Sequence, residues 1–362
     1  MSWPNKRIPG LDGLRAISIV LVLSGHLAGT RNCYSLAFYT KFGDLANLGV
    51  RVFFVISGYL ITTLLLKEYE KTQTISLRNF YMRRTLRIFP AFYAFLLAMT
   101  VVHAWGSISF KPGDLLHAFT YTINYHYDRS WWIGHTWSLS VEEQFYLLWP
   151  ALLLLLGIRR GLYAAGAVVL LAPVVRIAVF YLWPAQRVGI GESFPTIADT
   201  IATGCLLAGT RKWLDLQPWF RKLLDIRWFA VVPLLIIAIN AKPGGRLRIS
   251  VLETIINLLI AACVARYTTK TDGPAAKFLN SRLAVAIGIL SYSLYLWQQP
   301  FLNRQSAGWI AAFPVNIVLA VLAALLSYLV VEKPLLDLRS RFGVRKHEAA
   351  HSTAIAQAGP GS

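Results

Sequence analysis

Along most of the chain, apolar residues come in long runs separated by short polar stretches. A helix needs about 20 consecutive, mostly apolar residues to cross a bilayer core. On that measure the pattern predicts spans at about Leu14–Gly29, Gly49–Leu66, Ile88–Trp105, Trp137–Leu156 and Leu162–Leu182. Further spans are expected at Thr196–Gly209, Trp228–Asn240, Ile249–Val264, Leu283–Leu302 and Trp309–Val331. Pro90 would open the third span, in a first helical turn, where proline is tolerated. The stretch 107–135 is semi-polar, and its Trp131 and Trp132 suit an interfacial aromatic belt. No sustained strand-like alternation points to a membrane barrel. The expected fold class is all-α: a polytopic membrane bundle of about ten transmembrane helices. Residues 1–340 read as one membrane-embedded domain, and 341–362, rich in Ala, Ser and Gly, as a short disordered cytoplasmic tail. No internal repeat is visible.

Composition agrees with this picture. The chain is 56% hydrophobic and 15% charged, against about 25% charged in soluble domains. A formal charge of +19 raises the question of nucleic acid. The Lys and Arg lie mainly in short loops on one side of the spans, as membrane topology alone requires, so nucleic acid is not an expected partner. With the N-terminus in the cytoplasm, the inner segments hold most of the 36 Lys and Arg, which places both termini in the cytoplasm. The first apolar run lacks a cleavage-like end and reads as a retained helix. Cys33, Cys205 and Cys263 form no CxxC and no His/Cys cluster at zinc spacing, so they read as packing residues and no metal site is expected.

Ionisable residues inside apolar spans are costly and point to function. Arg15 and His26 lie in the first span. Eleven residues on a helix amount to about 16 Å of rise and roughly three turns, which puts both on nearly one face. Asp12 falls close to the same face. A histidine can serve as general base, or as a buried imidazole bonded to a neighbouring helix.

Four other groups stand out. In NFYMRRTLRIFP, Arg84 and Arg87 share a helix face if the segment is helical. Their guanidinium forks suit phosphate, and the same arginines also satisfy the topological charge rule. HTWSLSVEEQFYLLWP carries Glu142 and Glu143, of which at most one squarely faces an interior cavity; Glu143 reads as the one that reaches interfacial water. SYSLYLWQQP offers Trp297, Gln298 and Gln299, a combination fit for a sugar platform or for an ordinary aromatic belt. Glu332, beside Lys333 and Pro334, closes the last span, where a helix-end ion pair would also account for it.

The runs GLDGLRAISIVLVLSGH, GVRVFFVISGYLI, RRTLRIFP, HTWSLSVEEQFYLLWP, SYSLYLWQQP and VEKP, in this order, resemble acyltransferase family 3 across about Pro9–Pro334. That family comprises integral-membrane O-acyltransferases of bacterial surface polysaccharides, peptidoglycan and some secondary metabolites. The resemblance implies a ten-helix core in the bacterial inner membrane, with acyl-coenzyme A as a cytoplasmic co-substrate rather than a permanently bound cofactor. It implies functional roles for Arg15 and His26, for the RxxR pair Arg84 and Arg87, for Glu142 and for Glu332. The likeness is to the stand-alone type. The second motif varies at Arg51, which is given no role.

The expected reaction moves an acyl group, most simply acetyl, from coenzyme A to a hydroxyl of a glycan or glycolipid acceptor. His26, Arg15 and Glu142 would be catalytic, and Arg84 and Arg87 would hold donor phosphates. Trp297, Gln298, Glu332 and Asp12 would contact substrate. His26 as base and His26 as acyl carrier both remain open. A transporter or flippase would also use intramembrane His, Arg and Glu, but would move its substrate without consuming acyl-coenzyme A. A membrane scaffold would tolerate loss of His26.

Overall fold

A computed structural model describes residues 8–242 and 245–337 of the chain. The expected tail at 341–362 lies outside them. Among the described residues the structure is helical, without strands. Ten longer helices carry the architecture: α1 (Leu11–Leu27), α2 (Leu45–Thr72), α3 (Leu77–Ala104), α4 (Trp137–Leu156), α5 (Ile158–Leu182), α6 (Phe194–Leu214), α7 (Val231–Asn240), α8 (Glu253–Tyr267), α9 (Arg282–Gln298) and α10 (Val315–Ser327). Each coincides with one predicted span. Six helical stretches among the described residues are long and apolar enough to cross a membrane: α2, α3, Trp131–Leu156, α5, Arg248–Tyr267 and Val315–Asp337.

Around an apolar core, burial departs from that of a water-soluble protein in its outermost and its polar residues. Leu155 and Leu170 are 82% and 77% exposed, whereas Arg176 and Asp199 are fully buried. Apolar side chains facing outward and polar ones facing inward are what a lipid solvent demands. The chain is an all-helical membrane protein.

Two helices extend differently from their predicted spans. α3 begins at Leu77, capped by the Ser76 hydroxyl, and Pro90 lies inside it rather than in its first turn. An interior proline removes one helical hydrogen bond. Here Ala91, Phe92 and Phe95 are fully buried just beyond it, and that packing outweighs the defect. As a result Arg84 and Arg87 sit on a continuous helix. α10 starts at Val315, not at Trp309, and ends in a π-helical turn at Tyr328–Glu332 that buries Glu332. The semi-polar stretch 107–135 folds into short helices, including Asp114–Phe119 and Trp131–Gly134.

The bundle is centred on α1 and α2. α1 packs on α2 and α9, α2 on α6, and α6 on α5. Glycine makes the tightest crossings possible. A Cβ on Gly58 would stand 2.1 Å from the Ile201 carbonyl oxygen, and one on Gly204 2.1 Å from that of Val55. Small residues at such crossings let backbones meet when lipid supplies no hydrophobic drive for association.

A buried ionic network ties α2, α5, α6 and α8. Arg176 grips both carboxylate oxygens of Asp199 at 3.1 Å and donates to Thr254 Oγ1 at 2.6 Å. Arg51 donates to Glu253 at 2.6 Å and to Asn257 at 3.2 Å. Two guanidiniums against two carboxylates leave the group neutral, the condition on which charge is tolerated at this depth. Arg51 therefore has a structural position that its sequence context did not reveal.

Candidate active site

α1 threads two cavities, one toward each end. The cavity toward its N-terminal end has a volume of about 90 Å³ and is lined by Arg15, Ser57, Arg84, Arg87, Glu142 and Tyr292. These come from α1, α2, α3, α4 and α9, so the cavity exists only in the assembled bundle. Apolar side chains, among them Phe53, Phe54, Leu60 and Ile61, make up much of its wall, and the charged groups facing it are three guanidiniums and one carboxylate. Glu142 hydrogen-bonds Ser57 and lies within electrostatic reach of Arg15, Arg84 and Arg87. The Ser57 hydroxyl is also 2.7 Å from the Tyr146 hydroxyl, and Arg84 stands 5.1 Å from the centre of the Tyr146 ring. Three arginines facing one cavity carboxylate leave a positive lining, suited to an anion with several charged oxygens.

Glu332 stands just behind this group. It accepts a hydrogen bond from Ser293 and is within electrostatic reach of Arg87 and Arg15. Its burial in the π-helical turn sets it apart from an ordinary helix-end ion pair. Asp12 is also within reach of Arg15. It lines a third cavity of about 420 Å³, with Lys277 and Asn280, at the start of α1. Glu143 is half-buried, and its Oε1 is buried without a hydrogen-bond partner. Tyr93 and Tyr121 lie within electrostatic reach of Glu143.

The second cavity is a vestibule of about 860 Å³ at the other end of α1. His26 lies there, with Trp131, His135, Arg129, Glu192 and Arg304. Its Nδ1 is 2.8 Å from Gln298 Oε1. An amide oxygen only accepts, so Nδ1 carries the proton and donates, and Nε2 keeps a free lone pair. The indole of Trp131 meets the His26 ring edge-on at 5.4 Å, and the Arg304 guanidinium lies 5.8 Å from the Trp131 ring centre. Reciprocal bonds fix the indole: Trp131 Nε1 donates to the Gln299 carbonyl at 2.9 Å, and Gln299 Nε2 donates to the Trp131 carbonyl at 2.5 Å. Arg129 and Glu192 pair at 2.5 Å.

The sequence-predicted residues thus divide into two groups. Arg15, Arg84, Arg87 and Glu142 share the first cavity, with Glu332 and Asp12 beside it. His26 and Gln299 line the vestibule, and Gln298, fully buried, does not line it but is bonded to His26. Trp297 lines neither of these cavities and packs edge-on against Phe95 at 5.3 Å. The tryptophans that line the vestibule are Trp131 and Trp137. Val50 and Tyr295 line both cavities and form the partition between them. Tyr295 is held by a 2.6 Å contact with Ser138 Oγ and by donating to the His135 carbonyl at 2.8 Å. Sequence reading did not single out Tyr295, Ser138 or His135, although each lies in a motif quoted above. Among the described residues no group of three or more His, Cys, Asp or Glu could hold a metal ion.

A membrane bundle with an arginine-lined cavity at one end of its central helix and a histidine-floored vestibule at the other belongs to acyltransferase family 3, whose acyltransferase domain matches residues 8–332. The similarity extends to an O-acetyltransferase OatA of Staphylococcus aureus, 30% identical over 376 aligned positions that cover 92% of this chain and 58% of the relative. It extends also to the peptidoglycan O-acetyltransferase OatA of Listeria monocytogenes, 27% identical over 91% of this chain and 55% of that protein. The chain therefore spans little more than half the length of these relatives. No solved structure matches it.

Proposed function

We propose that this chain transfers an acyl group, most simply acetyl, from cytoplasmic acyl-coenzyme A to a hydroxyl of a glycan or glycolipid on the far side of the inner membrane. The observation that carries the reading is the pair of cavities meeting at Val50 and Tyr295. In this reading all ten long helices cross the bilayer, and both termini and the Arg15 cavity face the cytoplasm. Arg15, Arg84 and Arg87 hold the phosphates of coenzyme A, and Glu142 keeps these guanidiniums in place. The thioester reaches past Val50 and Tyr295 to His26. There Nε2 takes the proton of the acceptor hydroxyl as its oxygen attacks the thioester carbonyl. Collapse of the tetrahedral adduct breaks the carbon–sulfur bond, and the thiolate leaves with that proton. Trp131 offers an apolar face to a sugar ring. The names of the relatives support O-acetylation of peptidoglycan as the first acceptor to examine.

The deciding experiment uses inside-out membrane vesicles supplied with radiolabelled acetyl-coenzyme A. Wild-type protein should release free coenzyme A and deposit base-labile acetyl ester on glycan. His26→Gln, which keeps a hydrogen-bonding amide but cannot take the proton, should lose about 10²–10⁴-fold in rate. Near-normal transfer by His26→Gln would remove the histidine from the chemistry. Glycan movement without coenzyme A release would replace the reading with transport.

A further inference from the structure

His135 opens the HTWSLSVEEQFYLLWP run and precedes α4. It borders the same vestibule as His26 yet has no part in the reaction drawn above. Its ring is 3% exposed and is clamped between Phe95 and Tyr295, with centroid distances of 5.5 and 5.4 Å. Nε2 lies 3.0 Å from the Leu296 carbonyl oxygen. A carbonyl only accepts, so Nε2 carries the hydrogen and the neutral ring presents Nδ1 as a bare acceptor. That Nδ1 is buried without a hydrogen-bond partner. Leaving a buried polar atom unsatisfied is costly, so such atoms are rare in folded chains and call for an explanation.

The neighbours sharpen the explanation. Arg304 Nε, on the same vestibule wall, is likewise buried without a partner. His26 is close enough to His135 for its charge to act on that ring. Trp131 stands edge-on to His26 and has the Arg304 guanidinium against its ring. His135 thus offers an unfilled acceptor and Arg304 an unfilled donor, on residues that line the same vestibule as His26 and Trp131. A sugar ring presents the complementary set: an apolar face, with hydroxyls on neighbouring carbons that both donate and accept.

We infer that His135 is an acceptor-positioning residue whose Nδ1 receives a hydrogen bond from a hydroxyl next to the one that His26 deprotonates. The acceptor class is then a pyranoside with a free hydroxyl adjacent to the acylated position. Arg304 Nε donates to an oxygen of the same ring. This assignment rests on the acyl-transfer reading above. It adds a residue that fixes which hydroxyl of the acceptor meets His26, because a ring held at two points cannot rotate to offer another.

The two nitrogens of His135 can be tested separately. His135→Gln places its amide where Nε2 stands, keeps the donation to Leu296 and removes the Nδ1 acceptor. His135→Asn places an amide oxygen where Nδ1 stands and gives up the bond to Leu296. Both variants are expressed in cells lacking the gene and matched for inserted protein, and base-released acetate is measured on extracted cell-wall glycan. The expected order is at least about tenfold more ester with Asn than with Gln, with Gln retaining wild-type thermal stability in detergent. A merely structural imidazole predicts the reverse order, and that result, or undiminished ester with Gln, overturns the assignment. Wild-type vesicles that consume no acetyl-coenzyme A would instead refute the acyl-transfer reading on which it stands.

Discussion

Gln298, the last residue of α9, accepts a hydrogen bond from His26, near the end of α1, at 2.8 Å. The bond joins residues 272 positions apart in sequence and fixes which imidazole nitrogen carries the proton. Gln298 is fully buried, so water does not replace it there. Gln298→Leu should leave the ring free to turn and lower turnover by about 10- to 100-fold, the scale of a small misplacement of a reacting group. The affinity for acyl-coenzyme A, whose site at Arg15 lies about 16 Å from His26 along α1, should not change. Turnover measured against a donor titration in vesicles checks both halves.

The donor site makes a charge prediction. Arg15, Arg84 and Arg87 converge on one cavity from α1 and α3, whereas Lys71 ends α2 among exposed residues. Arg84→Ala and Arg87→Ala should each weaken acyl-coenzyme A binding by about 1.5–3 kcal/mol, the range for charge-assisted hydrogen bonds. Lys71→Ala should bind like wild type. Equal donor affinity in all three variants, measured on purified protein by calorimetry, would reduce these arginines to a topological role.

Topology follows from loop charge. Reporter fusions at Lys71, Arg221 and Lys277 should be active only in the cytoplasm, and fusions at Gly113, Gly191 and Gly245 only outside it. A reporter at Arg221 that is active outside would break the ten-span arrangement.

Arg176 and Asp199 offer a stability test remote from both cavities. Removing one partner of a buried ion pair costs about 3–5 kcal/mol, because the other charge is stranded, whereas an apolar replacement of both can be tolerated. Arg176→Leu should therefore unfold at a markedly lower temperature than wild type. Arg176→Leu combined with Asp199→Leu should recover part of the loss, the remainder reflecting bonds from Thr254 and Asn257 to Asp199. Unfolding in detergent can be followed with a thiol-reactive dye, since Cys205 and Cys263 are buried in the fold. A double variant less stable than Arg176→Leu alone would show that the pair is not mutually compensating.

The runs of apolar residues by themselves determined that the chain is helical, where each long helix lies and that polar residues inside it matter. The reason is that helix hydrogen bonds are local and lipid forces each spanning segment to satisfy its own backbone. Arg84 and Arg87 were readable as a pair for the same local reason, three residues apart on one helix. Gln298 stood out in sequence as a sugar contact, but only the fold joins it to His26. Glu143 has Tyr93 and Tyr121, from other segments, within electrostatic reach, neighbours that the helix pattern does not name. Trp297 meets Phe95 and Trp131 meets His26, pairings that helix periodicity could not supply, because it gives the direction of a side chain without the identity of the neighbour it meets. The separation of Arg15 from His26 into two cavities depends on Val50 and Tyr295, brought between them by α2 and α9. The bare Nδ1 of His135 likewise depends on a carbonyl supplied by α9. Such contacts come from helix packing across long sequence separations, and no local pattern encodes them.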